Sequence, residues 1–161
     1  MDKVNIEERV ALAESLFKEG YNCSQSVVAA YSDYFNLDRD TALKISASFG
    51  GGIGRMRQTC GAACGMFLLT GLVCGSTDPK DNLAKGDNYA VVQQLAAKFK
   101  SANGSIICGE LLGLVKRGTM VDGIGLPTTP QKRDGEYYTK RPCVESVKSA
   151  AQIFGEYINN L

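Results

Sequence analysis

The sequence predicts an all-α fold: a single-domain, cysteine-rich helical bundle of about six helices over residues 1–161, with a glycine-rich turn and a long loop before the last helix. Three observations lead there. Apolar residues recur at helical spacing in most segments. Capping residues and terminal glycines stand where those segments begin and end. No segment shows the sustained two-residue alternation of a half-buried strand.

The first helix is read from Ile6, Val10, Ala13 and Phe17, which share one face, with Asn5 and Glu8 at capping-box spacing and Gly20 as its stop. A second starts near Asn22, Cys23 and Ser24 and carries Val27, Tyr31 and Phe35; Cys23 heads that stripe. A third, from Asp38 or Asp40, carries Ala42, Ile45 and Phe49. Gly50, Gly51, Gly52, Ile53 and Gly54 then break the pattern, and so many glycines call for unusual dihedrals or a close backbone approach. The fourth helix, 60–74, is apolar nearly all round, through Met66, Phe67, Leu68, Leu69, Leu72 and Val73, as a central buried helix is. Gly75 ends it, and Asp78–Pro79 reads as a new cap with a first-turn proline.

The fifth helix, 79–102, presents Val92, Leu95, Ala96 and Phe99 on one side, with Gly86 inside it and Asn103–Gly104 as its stop. A helical turn is expected after Cys108. Residues 113–141 have no sustained period and read as a loop, of a length that is usually functional or disordered. The last helix opens at Pro142 and carries Cys143, Val147, Ala150, Phe154 and Ile158.

The chemistry is bounded by six cysteines and no histidine. Without imidazole there is no Ser–His or Cys–His nucleophile pair, no histidine-containing zinc site and no histidine-ligated haem. A net charge of +1 leaves no nucleic-acid footprint, and no apolar run approaches the ~20 residues of a membrane helix. The acidic, amphipathic start around Glu7 and Glu8 does not resemble a secretory leader, so the expected compartment is cytoplasmic. Clustered cysteines there are more often metal-binding, catalytic or redox-sensing than structural.

Cys60 and Cys64 are neighbours on one helix face, and Cys74 falls in the same sector. An i,i+4 pair can share a metal but is a poor site for a disulfide. Cys23, Cys60 and Cys143 each fall in the first turn of an expected helix, where free amides and the helix dipole favour a thiolate. Cysteine is also a small, readily buried hydrophobe, and Cys74 reads best that way. The glycine run lacks the order of a phosphate-binding loop. Arg55 and Arg57 suit either solvent or the charge of nearby thiolates. Lys132–Arg133 and Lys140–Arg141, flanking Tyr137 and Tyr138, read as a solvated loop.

Taken jointly and in order, several blocks resemble the C_GCAxxG_C_C family of redox-active proteins. They are Gly20-Tyr21-Asn22-Cys23-Ser24-Gln25-Ser26, Phe49-Gly50-Gly51-Gly52-Ile53-Gly54, Cys60-Gly61-Ala62-Ala63-Cys64-Gly65, Cys108-Gly109-Glu110-Leu111-Leu112-Gly113, and Cys143 at the last helix. The resemblance implies that the four characteristic cysteines are Cys23, Cys60, Cys108 and Cys143. It also implies a fold similar to the helical domain of split-Soret cytochrome c, and a redox role with an iron–sulfur cluster or another prosthetic group. This chain has no C-x-x-C-H, so the haem of that relative does not transfer. Cys64 and Cys74 fall outside the four.

The expected site therefore has Cys23, Cys60, Cys108 and Cys143 at one end of the bundle, as redox thiols or as metal ligands. Gly51, Gly52, Gly54, Gly61 and Arg55 are expected beside a cofactor, and Cys60 is expected to be the most reactive sulfur. The expected function is electron transfer or thiol–disulfide exchange with a partner protein such as an electron carrier, oxidoreductase or transporter. Neither nucleic acid nor membrane is expected as a partner, and a homodimer is one option for assembly. The alternatives are a zinc-binding or sensing module, and a metal-free structural domain with inert core cysteines. Anything that gathers those four sulfurs must come from the fold, because their local spacing does not.

Overall fold

The computed structural model describes residues 2–120 and 122–161, and their helices follow from local signals. Asn5 accepts a hydrogen bond from the Glu8 amide and opens α1, Ile6–Glu19; Gly20, in the left-handed region, closes it. Then come α2, Cys23–Ala29; α3, Arg39–Ser46; α4, Gly61–Cys74; α5, Asn82–Asn103; α6, Cys108–Leu111; α7, Gly135–Lys140; and α8, Cys143–Asn159. Short 3-10 turns lie at Asp33–Phe35 and Ala47–Phe49. The fold is all-α: among the described residues the strand-like pairing is one antiparallel bridge, Thr59 to Ile107.

Helix α4 lies centrally, against α2, α5 and α8, while α1 runs along α8. Phe17, Val27, Val28, Met66, Leu69, Leu95, Phe99, Val147 and Phe154 fill the shared core. Burying each such side chain contributes about 1.5–3 kcal/mol. The Tyr31 ring lies in this core, edge-on to Phe154 at 4.9 Å, and its hydroxyl donates to the Ala151 carbonyl at 2.6 Å. Among the described residues, no helix is long and apolar enough to cross a membrane.

Several boundaries differ from the sequence reading. Helix α2 ends at Ala29: Ser32 Oγ bonds back to the Ala29 carbonyl, and Asn36 takes a left-handed φ of 51°. Phe35 therefore reaches the core from a 3-10 turn, not from a continuous helix. Helix α5 begins after Asp81, because the Asp78 side chain already accepts from the Lys80 amide while Asp81 caps Ala84. Gly86 sits within it without interruption. Helix α4 is buried through its first half, but Leu72 emerges 46% exposed. The stretch read as a loop contains α7, capped by Asp134 on the Tyr137 amide. With α6, that raises the count to eight α-helices among the described residues.

Tyr31 tests the core directly. Tyr31→Phe removes a buried donor and should destabilise the protein by about 1–3 kcal/mol. A lower urea midpoint at unchanged slope would show it; an unshifted midpoint would mean that the hydroxyl contributes nothing.

Candidate thiol site

Each of the four cysteines is placed by a helix start. Asn22 and Gln25 form a reciprocal capping box at 3.0 and 3.1 Å, which sets Cys23 in the first turn of α2. Asn22 Nδ2 also donates to the Ala47 carbonyl at 2.8 Å, tying that turn to the segment before the glycine run. Cys60 is the N-cap residue of α4, and Cys108 opens α6. The Cys60 amide donates to the Ile106 carbonyl at 2.6 Å and the Cys108 amide to the Gln58 carbonyl at 2.7 Å, so their segments lie side by side. Cys143 opens α8 behind Pro142, whose carbonyl accepts from the Ser146 amide at 2.9 Å.

Glycines permit the close approaches. A Cβ on Gly61 would stand 2.8 Å from the Phe49 carbonyl oxygen and 3.3 Å from Cys23 Cβ, so the start of α4 sits against Cys23 only because none is there. The glycine run forms a left-handed turn. From Gly51 through Arg55 every φ lies between 58° and 73°, and Arg57 has 62°. Ile53, Arg55 and Arg57 adopt this region at a cost of about 1–2 kcal/mol each. A Cβ at Gly52 would fall 2.5 Å from Cys108 Cβ, so the turn presses directly on that cysteine.

A cavity of about 370 Å³ opens between these elements. Cys23, Cys60, Cys108 and Cys143 all line it, together with Gly51, Gly52, Gly54, Gly61 and Arg55. Cys64 and Cys74 do not: Cys64 is buried with its sulfur toward the Thr59 carbonyl, and Cys74, at the far end of α4, contacts Asn88 Nδ2 at 3.2 Å. Within the glycine run the Gly54 amide donates to the Ser48 carbonyl at 2.7 Å. Arg55 grips the overhanging chain, donating to the Pro127 and Thr129 carbonyls at 2.7 and 2.5 Å, while Arg57 meets sulfur, 3.6 Å from Cys108 Sγ.

The four thiols are electrostatically unequal. The hydrogen bond from Cys23 pulls the Cys143 thiol down to about 7, with burial opposing and Arg141, Arg57 and Arg133 assisting. Cys23 is pushed up by the same bond and by burial. Burial pushes Cys60 up to about 12, although the Ala62 and Ala63 amides favour its thiolate. Cys60 was expected to be the most reactive sulfur; desolvation outweighs its helix start and holds its thiol protonated, whereas the Cys143 thiol is lowered. Cys108 is also raised by burial, against the pull of Arg57.

The residues between 113 and 141 supply what sequence reasoning missed. Thr128, Pro130, Gln131, Arg133, Tyr137 and Arg141 also line the cavity. Arg133 donates to the Phe17 and Tyr21 carbonyls and lies 4.3 Å from the Phe17 ring centre, so it is built into the fold and not a solvated loop charge. Arg141 lies over the Tyr137 ring at 4.7 Å. The alternation of arginine with tyrosine was the available signal.

The donors fit a sulfur-ligated cluster in kind: four cysteines from four helix starts face one cavity that carries arginines and, among the described residues, no carboxylate. No group of three or more cysteines or carboxylates among the described residues is arranged to hold a single metal ion. The family model described as "Putative redox-active protein (C_GCAxxG_C_C)" matches residues 21–157. No curated protein and no solved structure matches the chain.

Alkylation by uncharged iodoacetamide reads the thiolate order. Cys143 should react along a pH curve with its midpoint at about 7, while Cys60 stays protected well beyond it. Cys23→Ala removes the principal cause and should move the Cys143 midpoint upward. An ordinary thiol midpoint at Cys143 in the unaltered protein would overturn this assignment.

Proposed function

Since this chain belongs to the C_GCAxxG_C_C family of redox-active proteins, we propose that it performs thiol–disulfide exchange, with Cys143 as the attacking sulfur and Cys23 as its resolving partner. The observation that carries this reading is the placement of Cys23 and Cys143 together on the wall of one arginine-lined cavity, where each thiol shifts the other's ionisation. An exchanging pair needs one sulfur ionised near neutral pH and a second, protonated sulfur within reach. Cys143 and Cys23 are pushed apart in that sense. Cys60 and Cys108 complete the sulfur lining but stay protonated through burial.

A second reading is supported by the four-cysteine cavity itself. Cys23, Cys60, Cys108 and Cys143 would hold an iron–sulfur cluster, which when bound supplies one-electron transfer. Arg57 and Arg141 would offset the negative charge of the thiolates, and the buried wall would limit solvent, which tunes potential. Zinc on the same thiolates would be redox-silent and would need all four drawn into a tetrahedron.

Anaerobic purification followed by mild oxidation separates these readings. Exchange chemistry predicts a colourless protein that loses two hydrogens in mass, with the new disulfide mapped to Cys23 and Cys143. Cys143→Ser and Cys23→Ser should abolish it, and Cys64→Ser and Cys74→Ser should not. Visible charge-transfer bands with stoichiometric iron and sulfide would favour the cluster instead, and stoichiometric zinc the redox-silent site. Metal-free thiols that stay reduced throughout would remove both redox readings.

A further inference from the structure

The cavity carries more positive charge than one thiolate can balance. Arg55, Arg57, Arg133 and Arg141 line it, and among the described residues no Asp or Glu does. The ion pairs among the described residues all lie elsewhere, on Arg9, Lys18, Lys140 and Lys148. The guanidiniums also act on one another: after burial, Arg57 and Arg141 are the neighbours that lower the Arg55 pKa.

The four are not equivalent. Arg55 and Arg133 donate to backbone carbonyls and hold the chain around the cavity. Arg57 gives one hydrogen bond, to Cys108 Sγ, and Arg141 gives one, to Gln131 Oε1; neither gives another among the described residues. Each guanidinium has five N–H donors in a planar fork matched to a carboxylate. Two such forks therefore face the same space as the Cys143 sulfur.

We propose that this cavity receives a low-molecular-weight disulfide bearing carboxylates, held by Arg57 and Arg141 with its sulfur–sulfur bond toward Cys143. The proposal rests on the reading of Cys143 and Cys23 as the exchanging pair, and it names the substrate class of that pair. A cavity of about 370 Å³ lies in the range of small-molecule sites. Thr128, Pro130 and Gln131 complete its lining.

The steps balance. The Cys143 thiolate attacks one sulfur of the substrate; the substrate S–S bond breaks, and the first thiolate leaves with the electron pair and takes a proton from solvent. Cys23 releases its proton to solvent and attacks Cys143 Sγ. The mixed disulfide breaks, and the second thiolate leaves and is protonated. One substrate disulfide is reduced to two thiols, and the two cysteine thiols are oxidised to one disulfide.

The test compares three disulfide probes on the full chain: dianionic 5,5′-dithiobis(2-nitrobenzoate), uncharged 4,4′-dithiodipyridine and dicationic cystamine. Each rate is divided by that of the same probe with 2-mercaptoethanol, a thiol without other charge, at a pH where Cys143 is fully ionised, with Cys143→Ser as the blank. The normalised rates should fall in the order anionic, uncharged, cationic. The anionic preference should be about tenfold or more and should collapse with added salt. Arg57→Gln with Arg141→Gln should erase the preference, bringing the three normalised rates to one value whatever their common level, a pattern that mere loss of thiolate or of packing does not give. Should that double variant fail to fold, the probe order and salt dependence of the unaltered protein decide alone. Equal normalised rates, or faster exchange with a protein disulfide than with the anionic probe, would overturn the substrate class while leaving the exchange reading intact. Failure of every probe to yield the Cys23–Cys143 disulfide would overturn the exchange reading, and this proposal with it.

Discussion

Consecutive positive φ angles from Gly51 to Arg55, wedged against Cys108, set the geometry of the whole cysteine-bearing end. A left-handed turn containing Ile53 and Arg55 is unfavourable in isolation. Here it is held by backbone bonds from the 53, 54, 55, 57 and 58 amides to carbonyls of 48–52, and by the Arg55 grip on Pro127 and Thr129. The direction in which the chain leaves that turn then decides two further things. It carries Arg57 to Cys108 Sγ, and it lays 57–60 beside 106–109, so that Cys60 and Cys108 belong to one wall. Strain of this kind persists only where the surroundings over-determine it, and it clusters at functional sites.

Within that frame, desolvation and charge compete at each sulfur, with different winners. Cys60 has what a helix start can offer, the Ala62 and Ala63 amides, yet burial dominates and the thiol remains protonated. Cys143 is only half-buried, shares its cavity wall with the Cys23 thiol and lies near three guanidiniums, and there the thiolate is favoured. A helix N-terminus supplies partial charge, roughly half an elementary unit. Full cationic charges and a directed thiol donor exceed that, so position on a helix alone does not rank these cysteines.

The same distinction explains what was legible in the sequence. Helix starts leave local marks, so the polar run at Asn22, and Pro142, placed Cys23 and Cys143 on first turns. The glycine run announced unusual dihedrals, though not their hand or the neighbour they would touch. The cap before α5 was misplaced because Asp78 and Asp81 offer identical chemistry, and only the competing Asp78–Lys80 turn separates them. Arg133, Tyr137 and Arg141 were read as a solvated loop for another reason. Their order comes from guanidinium–carbonyl bonds and ring faces, which have no period along the chain. Convergence of four sulfurs on one cavity is likewise a product of α2, α4, α6 and α8 packing, which local spacing does not encode.

Charge balance links the cavity to the chemistry proposed for it. With every cysteine protonated, four guanidiniums face the space uncompensated; ionising Cys143 answers one of them. Arg55 and Arg133 can carry their charge partly on carbonyl dipoles. Among the described residues, Arg57 and Arg141 have no comparable set of acceptors. In a partly desolvated site such charges favour whatever negative group enters, be it further thiolates gathered around a cluster or carboxylates on a substrate. The exchange reading ionises one sulfur and leaves the remaining charge to an incoming anion. The cluster reading would ionise all four thiols and place the cluster itself in the space that anion would take. The two therefore assign different work to the same arginines, and the response of the site to added anions separates them even before any cysteine is changed.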